Sequence, residues 1–527
     1  MAEEKNKAVL ILAAGNIRNK YQSYTFLFNS PGLLPIASRS VLSIILDFYQ
    51  AHQFTCYVCV NRSDLAVLQK EMAYYKFVSF IYLEQSAGVV DSLQQSLAQI
   101  REEEVIVNLV TTIPVVLPQA STVQLSREAD NVDYFSGIEF TDEQQTRCIY
   151  RFKGTHGENA FYPFTGIFRT SASLLKTAAK QAASQTDLLQ VVKELNALNG
   201  MRMEKVEWID VGHEINYADA RRKMIASRSF NSIAVSNHSG ILTKRSAHKQ
   251  KLANETKYVS MLPTELQVFY PRIFSNAVSE GVVNMEYYGY PNLSEYQLYR
   301  DVPDVQWIRI FQSLEHVLEL MRNFPFSIGK DAFIDFYFNK TVQRIEAFEK
   351  QQTDDSLFHH EVVINGVRCQ GFEQLKSAVK DRIEAMYREG EFSIMHGDFC
   401  FNNILYDTFS GTVKLIDPRG SFGDRCVGIY GDPNYDLAKL LHSTAGHYDY
   451  IVNNLFQLDQ LDAQTYQYSF PLRDNHRVLA EQSDKLLQNL GADRKTIHFI
   501  VGLLFLSMCP LHSDNQNRQK LMYLHGL

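Results

Sequence analysis

A strong excess of either sign of charge is lacking in this sequence. Lys and Arg number 52 against 59 Asp and Glu, leaving −7 over 527 residues and an isoelectric point near 6.1. A nucleic-acid binder would carry a basic field, so that class is set aside. Long apolar runs are lacking as well. The best, Phe499 to Leu506, falls short of the roughly 20 residues a bilayer requires and reads as a buried helix. Val9 to Ala14 is too brief for a secretory leader and ends at Gly15. The expectation is a cytoplasmic protein with no membrane span. Cysteine is sparse, odd in number at seven, and scattered, which excludes a disulfide framework. Cys56 and Cys59 form a CxxC inside Phe54 to Val60. That stretch reads as a buried strand, and no second Cys or His pair lies near it, so buried thiols are expected and not zinc. Nothing repeats and nothing is low-complexity. With 45% hydrophobic and 21% charged residues, the chain is globular and long enough for two or three domains.

What is present is concentrated in one stretch. Ile394-Met395 leads into the polar loop His396-Gly397-Asp398-Phe399-Cys400-Phe401-Asn402-Asn403, and Ile404-Leu405-Tyr406 resumes an extended run. After a turn at Ser410-Gly411, Val413 to Ile416 alternates like a strand and delivers Asp417 at its end. One acid to orient a hydroxyl, plus an amide and a carboxylate to hold Mg²⁺, is the set needed to move the γ-phosphoryl of ATP.

The spacing H-G-D-x-x-x-x-N followed by I-D resembles the catalytic loop of the aminoglycoside phosphotransferase and choline kinase superfamily, relatives of protein kinases. The resemblance implies that Asp398 is the catalytic base, that Asn403 and Asp417 bind Mg²⁺, and that His396 braces the loop. Gly431-Asp432-Pro433-Asn434-Tyr435-Asp436-Leu437-Ala438 resembles a later segment of that superfamily, in which the second acid, here Asp436, caps a helix and braces the catalytic loop. Upstream, Phe230 to Val235, the turn Ser236 to Gly240 and Ile241 to Lys244 read as a hairpin over phosphates. Lys244 is the candidate for the α/β-phosphates, with Glu255 on the following helix as its partner. Lys249 and Lys251 are rivals placed on an exposed helix face. Of a glycine-rich loop only Gly240 remains, so the cover rests on Ser236, Asn237 and Ser239. Val282 to Tyr288 reads as the hinge strand, with adenine bonding to backbone between Glu286 and Tyr288. Helices are expected over Asp304 to Asn323, Phe372 to Arg388, Lys495 to Met508 and Asn515 to Leu524. Arg419 is open between meeting an anionic acceptor and pairing with a local carboxylate. Tyr430, Tyr435, Tyr448 and Tyr450 are open between an aromatic cage and core packing.

The first half alternates apolar runs with helical patterns. Strands are expected at Ala8 to Ala14, Phe54 to Val60, Val78 to Leu83 and Val105 to Val110. Helices are expected at Ser38 to Tyr49, Ser63 to Tyr75 and Val89 to Ile100. That order predicts an α/β domain with a mostly parallel sheet. It resembles the sugar-nucleotide pyrophosphorylase (nucleotidyltransferase) family in Leu12-Ala13-Ala14-Gly15, Gln85 to Leu93, Pro163 to Phe168 and Trp208-Ile209-Asp210-Val211-Gly212. The resemblance implies nucleotide binding at Gly15 and a metal ligand at Asp210. Departures accompany it. Ile17 replaces the second loop glycine, the arginine is displaced to Arg18, and Ile36 stands where a lysine would steady phosphates. Val110-Thr111-Thr112 stands where the first metal aspartate would be. Arg18 and Lys20 read either as phosphate contacts or as a solvated pair.

The expected architecture is α/β: residues 1–225 as a nucleotidyltransferase-like domain with degenerate motifs, and 226–527 as an α+β bilobal kinase-like domain (small lobe 226–300, large lobe 301–527). The expected function is ATP- and Mg²⁺-dependent phosphorylation of a hydroxyl on a small sugar, polyol or amino-alcohol, for capsular or surface polysaccharide assembly. Two alternatives stand beside it. One is a bifunctional kinase–nucleotidyltransferase using a second NTP at the first domain; the other is a scaffold that binds nucleotide without turnover.

Overall fold

The computed structural model describes residues 6–527 except 18–19, 22, 73–74, 76, 128–133, 143–146, 156–158, 184, 225–230, 237–238 and 353–355. The candidates Arg18 and Asn237, and the join around Arg228, therefore lie outside the described residues. The chain divides into two compact units, Met1–Met224 and Ile225–Leu527.

In the first unit, Lys7–Leu12, Thr55–Asn61, Val78–Leu83 and Glu104–Leu109 run parallel. Lys7–Leu12 pairs along both edges, and each of its faces packs into an apolar cluster. Ala8, Leu10 and Leu12 enter one apolar cluster, and Val9 and Ile11 enter the other. That is why the strand is a continuous apolar run and not an alternating one. Helix Val89–Leu97 supplies Val90, Leu93 and Leu97 to the first cluster. Helix Val41–Ala51, capped by the Ser40 side chain, supplies Leu42, Ile45 and Leu46 to the second. Cys56 and Cys59 fall in opposite clusters, both fully buried, which leaves them unable to share a metal. Beyond Glu104–Leu109 the sheet turns antiparallel through Phe161–Ser171, Gly137–Phe140 and Cys148–Arg151. The nine-stranded sheet is thus parallel-rich at its centre and antiparallel at one flank.

The second unit opens with a four-stranded antiparallel sheet in the order Asn231–Val235, Ile241–Ser246, Val282–Glu286, Ile273–Ala277. Helix Lys249–Met261 follows the second strand and ends before Pro263. The rest is mainly helical: Asp304–Arg322, Phe372–Met386, Pro433–Thr444, His476–Asn489, Arg494–Met508 and Gln516–Gly526. The aromatic-rich segment is helical too, as Lys330–Ile334, a π turn at Asp335–Asn339, and Lys340–Glu349. A hairpin, Ile404–Asp407 with Thr412–Leu415, carries the polar loop. A second small sheet of Val362–Ile364, Val367–Cys369, Thr465–Ser469 and Gln457–Gln460 has no counterpart among the strands expected from sequence.

The apolar run at Phe499 lies in a packed helix, as expected, but one whose helical span is longer than expected. It belongs to a 19-residue helical span, Arg494–His512, in which an 18-residue stretch has mean hydropathy 1.4, long and apolar enough to cross a membrane by length and composition alone. The span outruns the expected helix because Pro510 falls in the first turn of a 3₁₀ segment, Cys509–His512, where a missing N–H costs nothing. In this unit the helix is packed, with Ile497, Ile500, Leu504 and Phe505 buried.

Candidate active site

The short strand Ser393–Ile394 pairs with Tyr430–Gly431 and feeds the turn at His396. The amides of His396 and Gly397 donate to Asp436 Oδ2 and Oδ1 at 2.7 and 2.8 Å. One carboxylate thus holds two successive peptide units. Burial pushes Asp436 up to about 7, against the pull of those two amides. Gly397 has φ +81°, and a Cβ there would sit 2.7 Å from Arg419 Cβ, so only glycine fits the turn against that segment. The Arg419 amide donates to His396 O at 2.8 Å and closes the contact.

His396 is fully buried and stacks on Tyr270, ring centroids 6.0 Å apart. Its Nδ1 accepts the Asp398 amide at 3.2 Å. Burial holds its pKa down to about 4. A neutral ring with no route to solvent is a brace and not a proton carrier.

Asp398 is held on both oxygens. Lys439 Nζ lies 2.9 Å from its Oδ1, and Asn403 Nδ2 donates to its Oδ2 at 3.0 Å. The same nitrogen also donates to Asp398 O at 3.0 Å. With Nδ2 fixed there, the Asn403 carbonyl end is the one left for a cation. The Ile416 amide donates to Asn403 O at 3.0 Å, tying the loop to the strand end that carries Asp417. Asp417 takes φ +57°, a left-handed conformation that aspartate tolerates better than most residues.

Lys244 Nζ meets both Glu255 oxygens at 2.8 Å and Asp417 Oδ1 at 2.7 Å. The lysine side chain is 7% exposed, whereas Asp417 is 53% exposed. Burial works against the Lys244 charge, but Asp417 and Glu255 override it and hold the ammonium above the ordinary lysine range. Burial and the negative charge of Asp417 push Glu255 upward. Burial would raise Asp417 too, yet Lys244 keeps it below the usual carboxylate value. The structure therefore brings Lys244, Glu255, Asp417, Asn403, Asp398 and His396 into one connected network. A small cavity lined by Glu255, Thr256, Met285, Asp417 and Pro418 opens beside the ion pair.

Two candidates come out differently. The Glu286 amide donates to Arg272 O at 2.9 Å, and its carboxylate takes Arg272 Nε and Tyr288 OH, each at 2.7 Å. The Tyr287 amide is spent on Gly240 O at 2.9 Å. Sheet pairing thus occupies the amides of Glu286 and Tyr287 in the stretch expected to meet adenine. Ser236 bonds through its amide to Ile241 O at 2.9 Å and, among the described residues, meets none of the network side chains. Asp436 also differs in part. It braces the loop as expected, but the helix cap is Asp432, which accepts the Asn434 amide at 2.9 Å. Of the four tyrosines, Tyr450 is packed in an apolar cluster and Tyr430 stacks on Phe326.

Sequence reasoning misses Lys439. Its signal was available: it lies three residues after Asp436 on one helix, and positions i and i+3 share a face. If Asp436 faces the loop, so does Lys439.

In the first unit Asp210 is buried, with 7% of its surface exposed. Its Oδ1 accepts the Gly212 amide at 3.0 Å. Its Oδ2 takes His213 Nδ1 at 2.9 Å and Asn216 Nδ2 at 2.8 Å. It pairs across a bridge with Thr112, whose hydroxyl bonds to Thr165 O and receives the Trp208 indole N–H. Both oxygens are occupied by neighbours and the facing position is a packed threonine, so these residues do not fit a metal. Ile17 and Ile36 are buried in the core, which explains why neither position offers a glycine turn or a cation. Gly15 follows the first strand in an open loop, where the nearest atom to an added Cβ would be Pro31 Cγ at 3.8 Å. In the second unit a carboxylate half open to solvent and an oriented amide oxygen are the hard donors Mg²⁺ takes, and Asp417 with Asn403 fit it.

No protein-family model matches this chain, and no curated protein matches it. Among solved structures, a Bacillus anthracis protein taken to be a glucose-1-phosphate thymidylyltransferase is 14% identical, with 42% of this chain and 96% of that one covered and a TM-score of 0.36. The inositol-1-phosphate CTP transferase of T. maritima is 10% identical, with 43% and 100% covered and a TM-score of 0.34. A UDP-glucose pyrophosphorylase complexed with UDP-glucose is 11% identical, with 42% and 98% covered and a TM-score of 0.33.

Proposed function

We propose that the second unit is an ATP- and Mg²⁺-dependent kinase for a hydroxyl group on a small molecule. The observation that carries this reading is the Lys244–Glu255–Asp417 ion triad, tied through the Ile416 amide to Asn403 and from Asn403 to Asp398. In this assignment Asp398 accepts the proton of the acceptor hydroxyl, whose oxygen attacks the γ-phosphorus. The bond to the β–γ bridging oxygen breaks and ADP leaves. Lys244, kept charged by Glu255, would take the α- and β-phosphates. Mg²⁺, held by Asp417 and Asn403, would neutralise charge on the phosphate oxygens. Asp436 and His396 fix the turn so that Asp398 is positioned before substrate arrives. ATP also gives Lys244 an alternative to Asp417, freeing that carboxylate.

The first unit we assign to binding of a nucleotide or sugar phosphate, because Asp210 alone supplies neither the metal site nor the cation clamp that nucleotidyl transfer demands. A cytoplasmic setting and a role in surface-polysaccharide assembly are part of the same proposal.

The test is Mg²⁺-dependent ADP release across sugars, polyols, amino-sugars, glycerate and choline, with Asp398→Asn alongside. Turnover that falls by about 10²- to 10⁴-fold in the variant is expected. ATP binding with no turnover for any acceptor would instead favour the scaffold. Pyrophosphate release from an NTP and the phosphorylated product, lost in Asp210→Ala, would restore the bifunctional reading.

A further inference from the structure

Two cations stand beside the catalytic turn with ring faces for company and, among the described residues, no ion-pair partner. Lys340 Nζ lies 3.7 Å from the Phe336 centroid and 5.5 Å from that of Tyr435. Arg419 Cζ lies 5.5 Å from Phe336 and 5.0 Å from Tyr435. The two side chains therefore share one aromatic platform, and both are only half-exposed. Arg419 is bonded through its backbone to His396 and touches the Gly397 position, one residue from Asp398. Lys439, the third cation here, is already committed to Asp398.

Holding two like charges on one platform is unfavourable unless something negative joins them. The rings supply part of that compensation through their negative faces, but a quadrupole does not replace a counter-ion. The two cations are compensated unequally: burial works against the Arg419 charge but Tyr435, Asp398 and Asp436 override it, whereas burial and then the charges of Arg419, Arg344 and Lys439 hold the Lys340 ammonium well below the ordinary lysine range, with Asp424 the acid that partly offsets them. Arg344 is turned away, its Nη1 on Ser507 O at 3.0 Å. A pair of cations next to a base is also the wrong environment for a choline-like acceptor, whose own positive charge they would repel.

We propose that the acceptor is a hydroxylated anion, with its carboxylate or phosphate docked on Arg419 and Lys340 and its hydroxyl presented to Asp398. This rests on the kinase assignment above and narrows its substrate class. The reaction is otherwise unchanged: the acceptor oxygen bonds to the γ-phosphorus, ADP departs, and the hydroxyl proton passes to Asp398.

The full chain is offered matched sets: glycerol, glycerate and glycerol 3-phosphate; glucose, gluconate and glucose 6-phosphate. ADP release and thermal melting are both recorded. The expected result is turnover with an anionic member, the set also separating a carboxylate from a phosphate. In Arg419→Gln and Lys340→Gln its KM should rise roughly tenfold or more while the KM for ATP stays put. Arg419→Lys, which keeps the charge, should recover part of the loss and shows that folding is intact. Turnover confined to the neutral members overturns the inference and leaves the kinase standing. A rise in the KM for ATP instead means the two cations serve the nucleotide, which also overturns it. If none of the six turns over, the kinase assignment is decided by the wider acceptor panel above, and melting decides the anion site separately. An anion-specific rise in Tm that disappears in Arg419→Gln upholds the site, and no such rise removes it.

Discussion

Asp210 and Asp417 are both aspartates at the ends of short strands, one in each unit, and they are held in opposite ways. Asp210 is bonded by Gly212, His213 and Asn216, all within six residues of it. Asp417 is bonded by Lys244, 173 positions away, and Asp398 by Lys439 from a separate helix. Donors drawn from an acid's own loop are accounted for by the folding of that loop. Cations delivered by distant elements to a carboxylate that stays half open are not, since the loop would close without them. Under the proposed kinase function such cations would be exchanged for phosphate and metal when a nucleotide arrives. The residue type is the same, and the origin of its partners is what distinguishes the two acids.

The sharpest way to break this contrast is to neutralise each acid in turn. Asp417→Asn should cut ADP release by roughly 10³-fold, because several kcal/mol of charge stabilisation is lost with the metal. Asp210→Asn should leave that rate at the wild-type value, and a comparable fall there would erase the distinction. Next in size is Asp436→Ala. Two buried amides lose their acceptor, at about 2–3 kcal/mol of unfolding free energy. The turn bearing Asp398 loosens with them, so kcat should drop more than the acceptor KM changes. Urea unfolding and steady-state kinetics on one preparation would measure both. Smaller again, Asp210→Ala should cost the first unit about 1–3 kcal/mol, seen as a lower unfolding midpoint with ATP turnover intact.

The smallest effect is set by pH. His442 is fully buried between Tyr448 and Phe505, and neither ring nitrogen finds a partner among the described residues. Burial, reinforced by Lys439, holds its pKa well below the ordinary histidine value. The unfolded chain then binds more protons than the folded one. The contribution is fully present above about pH 6.5 and declines as pH falls, at about 1.4 kcal/mol per unit. His442→Phe should remove that slope. Stability of the two proteins should run parallel above about pH 7 and diverge below about 6, the variant being the more stable.

Much of the second unit's centre was legible because its chemistry is local in sequence. Asp398, Asn403 and Asp417 lie close together on a loop and hairpin whose strands are marked by alternation. Lys244 and Glu255 were readable from a strand followed by a helix stopped at Pro263. That the amides of Glu286 and Tyr287 go to neighbouring backbone could not be read from the apolar pattern, because it depends on which strands pair. Lys340 gave no signal at all: it follows a π turn inside an aromatic-rich helix, and only packing brings it to Tyr435. The small sheet stayed hidden because its strands are three to five residues long, too short for a period to show. In the first unit the parallel core was plain from doubly buried apolar runs. The burial of Ile17 and Ile36, which removes the phosphate contacts, could not be separated from simple divergence until the packing was seen.

Gly420 sets a spacing. A Cβ on it would lie 2.3 Å from Asn254 O, on the helix that carries Glu255 and three residues beyond Asp417. Backbone rests directly on backbone there, with no side chain between to act as a cushion. The helix and the Asp417 segment are therefore at their closest approach, and only a glycine at 420 permits it. Any substituent on Gly420 would act as a wedge, lifting Glu255 off Lys244 and returning the lysine to Asp417 alone.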